Sequence, residues 1–223
     1  MDRLPHGYTN FTRVANGCVE KTYDGPRRWA NAGRELACLS ALGGRLPVAV
    51  VAHRDLSIPR LTLSLLPGRH GQDLLADGHA LRVLGLVGET LAALQRIRPD
   101  TVPGLVGEGS VIVHGDFGPQ NMLFDLDADR VTGVVDWESA HIGSPIEDIA
   151  WSEWVVRTHH RDAIDALDEL FASASQRPSW SERHAAMVHQ CREVLAYCES
   201  AGMDSSAAEW RERSRRTEAW THE

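Results

Sequence analysis

The apolar positions of the chain change period several times, and each change marks an element. From Cys18 to Tyr23 the side chains alternate, which puts Val19, Lys21 and Tyr23 on one face of a strand. Asn16-Gly17, just before it, is a hairpin signal. Asp24-Gly25-Pro26 then opens a helix with proline in its first turn, running to about Leu42 and stopping at Gly43-Gly44. Its apolar stripe reads Trp29, Ala32, Leu36 and Leu39, with Glu35 on the flank. Leu46 to Ala52 and Leu61 to Leu66 read as apolar strands around a turn at Asp55 to Pro59, and Pro67-Gly68 breaks the pattern. Beyond that break the period becomes helical, with Leu81, Leu84, Val87, Leu91 and Leu94 at three- and four-residue steps.

Short apolar strands return at Ser110 to Val113, Met122 to Phe124 and Arg130 to Val135, with an Asp-rich turn at Asp125 to Asp129 between the last two. Ser144-Pro145-Ile146-Glu147 and Ser179-Trp180-Ser181-Glu182 have the form of capping boxes that start helices. The second is followed by Met187, Cys191, Val194, Leu195 and Cys198 at helical spacing. Glu209 with Arg213, and Glu212 with Arg216, are i to i+4 pairs on a last helix.

The hairpin at 122–135 carries the chemistry. The chain reads His114-Gly115-Asp116-Phe117-Gly118-Pro119-Gln120-Asn121 before it and Asp136-Trp137-Glu138 after it. Pairing the two strands brings Asn121 and Asp136 together. Two like charges at ~4 Å near a protein surface repel by about 4 kcal/mol, so Asp116 and Asp136 make sense together only with a cation. Asn121 and Asp136 offer the hard oxygen ligands that Mg²⁺ takes from one or two protein groups plus phosphates. Asp116 is left to accept a hydrogen bond from an attacking hydroxyl. A loose, metaphosphate-like transition state needs that orientation more than it needs a strong base. Lys21 is the only lysine in the chain; every other basic residue of this kind is arginine. An ammonium is a compact point charge suited to reach between phosphates, although a mid-strand lysine is as commonly a solvated one.

The compound pattern His-Gly-Asp-x-x-x-x-Asn, a hairpin, Asp-Trp-Glu, then Gly143-Ser144-Pro145 and Asp148 resembles the aminoglycoside phosphotransferase and choline kinase family. Its Asp116 to Asn121 spacing is also that of the protein-kinase catalytic loop. The resemblance implies an α+β, protein-kinase-like two-lobed fold. A small antiparallel-sheet N-lobe with one helix would span residues 1–67, and a larger, mainly helical C-lobe residues 68–223. It implies ATP and Mg²⁺, with Asp116 catalytic and Asn121 and Asp136 on the metal. Lys21, braced by Glu35, would hold the phosphates. Gly7, Thr9 and Asn10 would form a flap over them, with no Gly-x-Gly-x-x-Gly in it. Val19 and the backbone around Ser64 and Leu66 would meet the base. Asp148 would brace the catalytic loop. Glu138 stands open between a substrate or metal role and a solvated position.

The acceptor implied is a hydroxyl of a small molecule, first an aminoglycoside-like antibiotic, with choline, homoserine, a sugar or another antibiotic as alternatives. Trp151 and Trp154, three apart, could stack on a cationic acceptor, but aromatic pairs at this spacing are more often core and are read as such. A nucleotide-binding module without catalysis and a metal-dependent phosphoesterase are the rival readings. Composition narrows the partners. A net charge of -8 argues against nucleic acid. No apolar run approaches membrane-spanning length, and the first residues lack a signal-peptide core. Cys18, Cys38, Cys191 and Cys198 show no zinc spacing, so reduced thiols and a cytoplasmic setting are expected. Nothing in the sequence fixes an oligomeric state.

Overall fold

The computed structural model describes residues 10–127 and 129–221. Its first part is a four-stranded antiparallel sheet in the order β1-β2-β4-β3, built from β1 (Phe11–Ala15), β2 (Cys18–Thr22), β3 (Val51–Asp55) and β4 (Arg60–Ser64). Asn16 and Gly17 both take positive φ, 52° and 74°, which is the two-residue turn that matches strand twist. β2 is interior, and its register sets Lys21 opposite Thr12 on one side and Leu61 on the other. Helix α1 (Arg28–Leu42) packs Ala32, Glu35, Cys38, Leu39 and Leu42 inward and ends at Gly43.

That face differs from the expected stripe. Trp29 is exposed, and Glu35, expected at the flank, is only 2 % exposed. On a wheel of about 100° per residue, Trp29 lies about 110° off the centre of the buried face, whereas Glu35 lies at its centre. The Leu46 to Ala52 run is also not a strand throughout. Residues 46–50 are irregular, and β3 begins only at Val51. Pro47 lacks an N–H for a ladder, and its carbonyl instead accepts from Val134 N at 2.7 Å, reaching the second part of the molecule.

The second part opens with β5 (Arg69–His70), α2 (Gly71–Ala76) and α3 (Ala80–Gln95). Two more antiparallel pieces follow. β6 (Val111–Val113) pairs with β9 (His141–Gly143), and β7 (Met122–Asp125) lies between β5 and β8 (Arg130–Val134). Helices α4 (Ile146–His159), α5 (Leu167–Ser173), α6 (Trp180–Ser200) and α7 (Asp204–Glu218) complete it. Gly68 has φ 120°, and a Cβ there would stand 2.3 Å from Thr132 Oγ1, so only glycine lets the connection lie against β8. Thr132 also donates its hydroxyl to Pro67 O. In α3 the buried face is Val83, Leu84, Leu86, Val87, Leu91 and Leu94. Leu81 falls outside it and is 63 % exposed, because it sits about 110° round the helix from that face.

One hydrophobic core runs from Tyr23, Leu39 and Leu61 through Leu84, Leu91 and Phe124 to Leu170 and Phe171. A second, smaller one joins α4 to α6 through Trp151, Trp154, Val155, Met187 and Cys191. The Ser179 capping box forms in full. The Ser144 box forms only in half. Glu147 Oε1 accepts from Ser144 N, but the Ser144 hydroxyl caps nothing, because Pro145 shifts the helix start to Ile146. Glu147 Oε2 is taken by His141 Nε2 at 2.8 Å. The four cysteines are free, and none of the described helices is long and apolar enough to cross a membrane.

Between α4 and α6 a carboxylate is buried outright. Glu153 is 0 % exposed and accepts from Arg157 Nε at 2.8 Å and from Arg183 Nε at 2.7 Å. Removing one partner of such a buried set costs about 3–5 kcal/mol. Glu153→Ala should therefore lower the unfolding free energy by about that amount in denaturant titration; a loss under ~1 kcal/mol would show that the two guanidinium groups are solvated without it.

Candidate active site

The site lies where α1 and β2 meet the loops on either side of the β7–β8 hairpin. Lys21 is 6 % exposed, and its Nζ donates to Glu35 Oε2 and to Asp136 Oδ1, each at 2.6 Å. Tyr23, two residues on and so on the same strand face, donates its hydroxyl to Glu35 Oε2 at 2.7 Å. Burial alone would push the Lys21 ammonium toward neutrality, but the Asp136 and Glu35 carboxylates outweigh it and its pKa rises. Burial would raise Asp136 too; the Lys21 charge and hydrogen bond reverse that and hold it below the usual carboxylate range.

Asp136 sits in the left-handed region, φ 69° and ψ 55°, at the start of the short 3-10 turn Trp137–Ser139. That turn buries Trp137 and presents Glu138 to the first part of the molecule. Asn10 Nδ2 donates to Glu138 Oε2 at 2.8 Å, and Arg34 of α1 donates to the Glu138 carbonyl. Burial, then the Asp136 charge, push Glu138 up to about 7. Oxygens of Glu35, Asp136 and Glu138 all come within 4.8 Å of one another, with Lys21 paired to two of the three. Carboxylates so close repel by several kcal/mol; Lys21 answers two of them directly, and the Arg34 guanidinium lies against the Glu138 carbonyl rather than its carboxylate. Hard oxygens of this kind suit Mg²⁺, and they fit such an ion.

The loop at 114–121 is held from behind. Asp148, in the first turn of α4, accepts from His114 N at 2.7 Å and from Gly115 N at 3.0 Å. Burial pushes Asp148 up to about 7 against the pull of those two amides. Ser152 Oγ, one turn along, donates to Phe117 O at 2.9 Å, and Gln190 Nε2 of α6 donates to Gly115 O at 3.2 Å. His114 is fully buried, between Trp137 (ring centroids 4.6 Å apart) and Phe117. Its Nε2 lies 3.0 Å from Val135 O, and its Nδ1 accepts from Asp116 N at 3.3 Å. A neutral ring with its proton on Nε2 satisfies both contacts. Burial, which drives its pKa down to about 4, keeps it neutral.

Asp116 collects three side-chain donors. Oδ2 accepts from Asn121 Nδ2 at 2.7 Å; Oδ1 accepts from Trp151 Nε1 at 2.7 Å and from Gln120 Nε2 at 3.1 Å. Burial raises Asp116 to about 6, with the Trp151 bond opposing it and the Asp136 charge adding to it. Asn121 Nδ2 also donates to Asp116 O at 2.8 Å, and this amide orientation leaves Oδ1 as the atom of Asn121 for a metal. Asn121 O accepts from Val135 N at 3.0 Å, so the hairpin joins the two ends of the motif as expected.

The structure thus brings Lys21, Glu35, Asn10 and Asp136 together, and sets Asp116 against Asn121. Gly7 and Thr9 lie outside the described residues. Val19 packs partly buried against the core, and Leu66 lies in the connection after β4. The Ser64 amide is engaged within the sheet, donating to Val50 O at 2.8 Å. Tyr23, Gln120 and Trp151 were not read from the sequence as site residues. Tyr23 had a signal, its alternation with Lys21. Trp151 had a weaker one, since it follows Asp148 by three residues on one helix face and both reach the same loop.

A cavity of about 670 Å³ adjoins the loop between α4 and α6, lined among others by Gly115, Glu147, Trp151, Glu182, His189 and Gln190. Residues 105–186, which include the whole of this loop and hairpin, match the model of the phosphotransferase enzyme family. The fold is that of the aminoglycoside phosphotransferases. Aminoglycoside 2'-phosphotransferase-IIIa in its GDP complex superposes with a TM-score of 0.77 at 14% identity, over 98% of this chain and 92% of that one. Among curated proteins, viomycin phosphotransferase of Streptomyces vinaceus is 43% identical over 79 residues, which is 34% of this chain and 23% of that protein. The probable acyl-CoA dehydrogenase IBR3 of Arabidopsis thaliana is 30% identical over 105 residues, 47% of this chain and 12% of that protein. The matches therefore span less than a quarter of either curated relative's length.

Asp148→Ala would leave the His114 and Gly115 amides without their acceptor, at about 1–3 kcal/mol for the lost partner. Hydrogen exchange at those two amides should accelerate well beyond that of β7. Unchanged protection at both would show that the loop stands without this brace.

Proposed function

We propose that the chain is an ATP-dependent phosphotransferase that moves the γ-phosphoryl group to a hydroxyl of a small molecule. The observation that carries this reading is the Lys21 ammonium held between Glu35 and Asp136, on the same hairpin frame that sets Asn121 against Asp116. In this reading residues 1–67 form the nucleotide lobe and residues 68–223 the catalytic and acceptor-binding lobe.

Asp136 Oδ and Asn121 Oδ1 would hold Mg²⁺, with Glu138 beside them. The ion would neutralise charge on the transferring phosphoryl group and fix its orientation. Lys21 would hold phosphate oxygens. Its bond to Asp136 would give way to them, while Glu35, steadied by the Tyr23 hydroxyl, keeps the ammonium in the cleft. Asn10 and the flap residues Gly7 and Thr9 would cover the phosphates, and Val19 with the backbone at Ser64 and Leu66 would border the base. Asp116 would accept the hydrogen bond of the acceptor hydroxyl and orient its lone pair along the line of attack. The acceptor would lie toward the cavity beside Gly115. The likeness to the aminoglycoside phosphotransferases supports a basic antibiotic of the aminoglycoside type as that acceptor, whereas the Glu147 and Glu182 carboxylates that line the cavity are already taken by Ser144, His141 and the Ser179 cap.

Two substitutions separate this from the rivals. Asp116→Ala should cut turnover by about 10²–10⁴, the range for a lost general base, while ATP affinity stays near native. Near-native turnover in that variant ends the assignment. Asp136→Ala should abolish the Mg²⁺ dependence of nucleotide binding in calorimetric titration with and without the metal. Unchanged metal dependence removes Asp136 from the ligand set, and metal binding that needs no nucleotide points to a phosphoesterase. An ATP-consumption screen over basic antibiotics, amino alcohols and sugars identifies the acceptor.

A further inference from the structure

We infer that Trp151 is a positioning residue for Asp116, and that the helix α7 is coupled to the catalytic carboxylate through a stack of three tryptophans. The inference rests on the phosphotransfer reading, in which Asp116 meets the acceptor hydroxyl.

An ionised carboxylate has about four lone-pair sites. On Asp116, Trp151 and Gln120 take both sites of Oδ1, and Asn121 takes one of Oδ2. One site remains, on Oδ2, and that is where the hydroxyl would be received. Of the three donors, Gln120 and Asn121 belong to the loop itself, and an amide can present either its oxygen or its nitrogen by turning over. An indole N–H can only donate. Trp151 is therefore the one side chain from outside the loop that fixes which oxygen of Asp116 is closed and which is open.

The indole is itself immobilised. Trp151 stacks on Trp154 with ring centroids 4.4 Å apart and planes 6° from parallel. Trp210 of α7 stacks on Trp154 at 5.6 Å and on Trp151 at 6.1 Å. Trp154 Nε1 donates to Thr217 Oγ1, also on α7, at 2.8 Å. The stack thus runs from the carboxylate to α7, about ninety to a hundred residues away along the chain. The loop backbone does not share this dependence, because Asp148, Ser152 and Gln190 hold it separately. Losing the indole donor should free the carboxylate to rotate and leave the loop in place.

Trp151→Phe keeps a stacking ring and deletes the donor; Trp210→Ala keeps the donor and loosens the stack. With steady-state ATP turnover as the assay, using water or the acceptor found by screening, Trp151→Phe should lower kcat at least about tenfold and leave KM for Mg·ATP within about twofold. Trp210→Ala should show a smaller loss with the same split. In ¹H–¹⁵N spectra of the wild-type chain, the indole resonance that Trp151→Phe removes should shift markedly in Asp116→Ala. A kcat within twofold of native for Trp151→Phe overturns the positioning role. An indole resonance that does not move in Asp116→Ala overturns the bond itself. A wild-type chain without ATP turnover defeats the phosphotransfer reading and the catalytic consequence with it, while the indole resonance, read without turnover, still decides the bond.

Discussion

A single ammonium holds the site together. Lys21 comes from the interior strand β2, Glu35 from the centre of the buried face of α1, and Asp136 from the turn that closes the β7–β8 hairpin. Each is costly where it sits. A buried carboxylate or ammonium left alone loses several kcal/mol of solvation, and Glu35, Asp136 and Glu138 repel one another in addition. The arrangement is tolerable because one cation serves two carboxylates, and because the Tyr23 hydroxyl takes up part of the Glu35 lone-pair capacity. Glu138 is left with an amide from Asn10 rather than a charge, and its elevated pKa is the visible consequence. The geometry of β2, the rotation of α1 and the left-handed turn at Asp136 all follow from having to bring these groups within hydrogen-bond reach.

Much of this could be read along the chain, and the parts that could not have a common cause. Polar residues that a fixed spacing brings together were legible, as with Asp116 and Asn121, and with Asp136 at the far end of the same hairpin. So was Lys21, set apart by being solitary, and so were backbone signals confined to a few residues, such as Asn16-Gly17 and the Ser179 box. What failed depended on which way an element turns. Trp29 and Leu81 look like core by type, yet lie about 110° off the buried faces of their helices. Glu35, judged to be at an edge, sits at the middle of its face, because the helix is rotated to bring a carboxylate rather than an indole to the lysine. The run at 46–50 is apolar enough for a strand, but Pro47 interrupts the ladder and gives its carbonyl to Val134 instead. Trp151 was hardest, since its partner is 35 residues away and tryptophans at this spacing usually do no more than fill a core.

The loop between β6 and β7 shows how burial is used to set protonation. His114 has one neighbour that needs a donor, Val135 O, and one that needs an acceptor, Asp116 N. Only the neutral ring serves both, and the low pKa imposed by burial guarantees that form. Asp148 faces two donors, and its carboxylate is the acceptor for both. In each case the side chain completes backbone hydrogen bonds that the loop, lacking a regular strand or helix, cannot complete for itself.

Glu153 and the cleft carboxylates make the closing comparison. Glu153 is fully buried and is answered by two guanidinium groups from within the chain, so its surroundings call for nothing further. Three carboxylates gather around Lys21, and the second cation there, Arg34, binds the Glu138 carbonyl rather than a carboxylate. A fold whose only requirement was stability would treat both places alike. Here Glu138 is met by an amide from Asn10 where Glu153 is met by two guanidinium groups. That imbalance accords with the proposal that the site takes up a metal ion together with a nucleotide, the stability given up there being the requirement of binding.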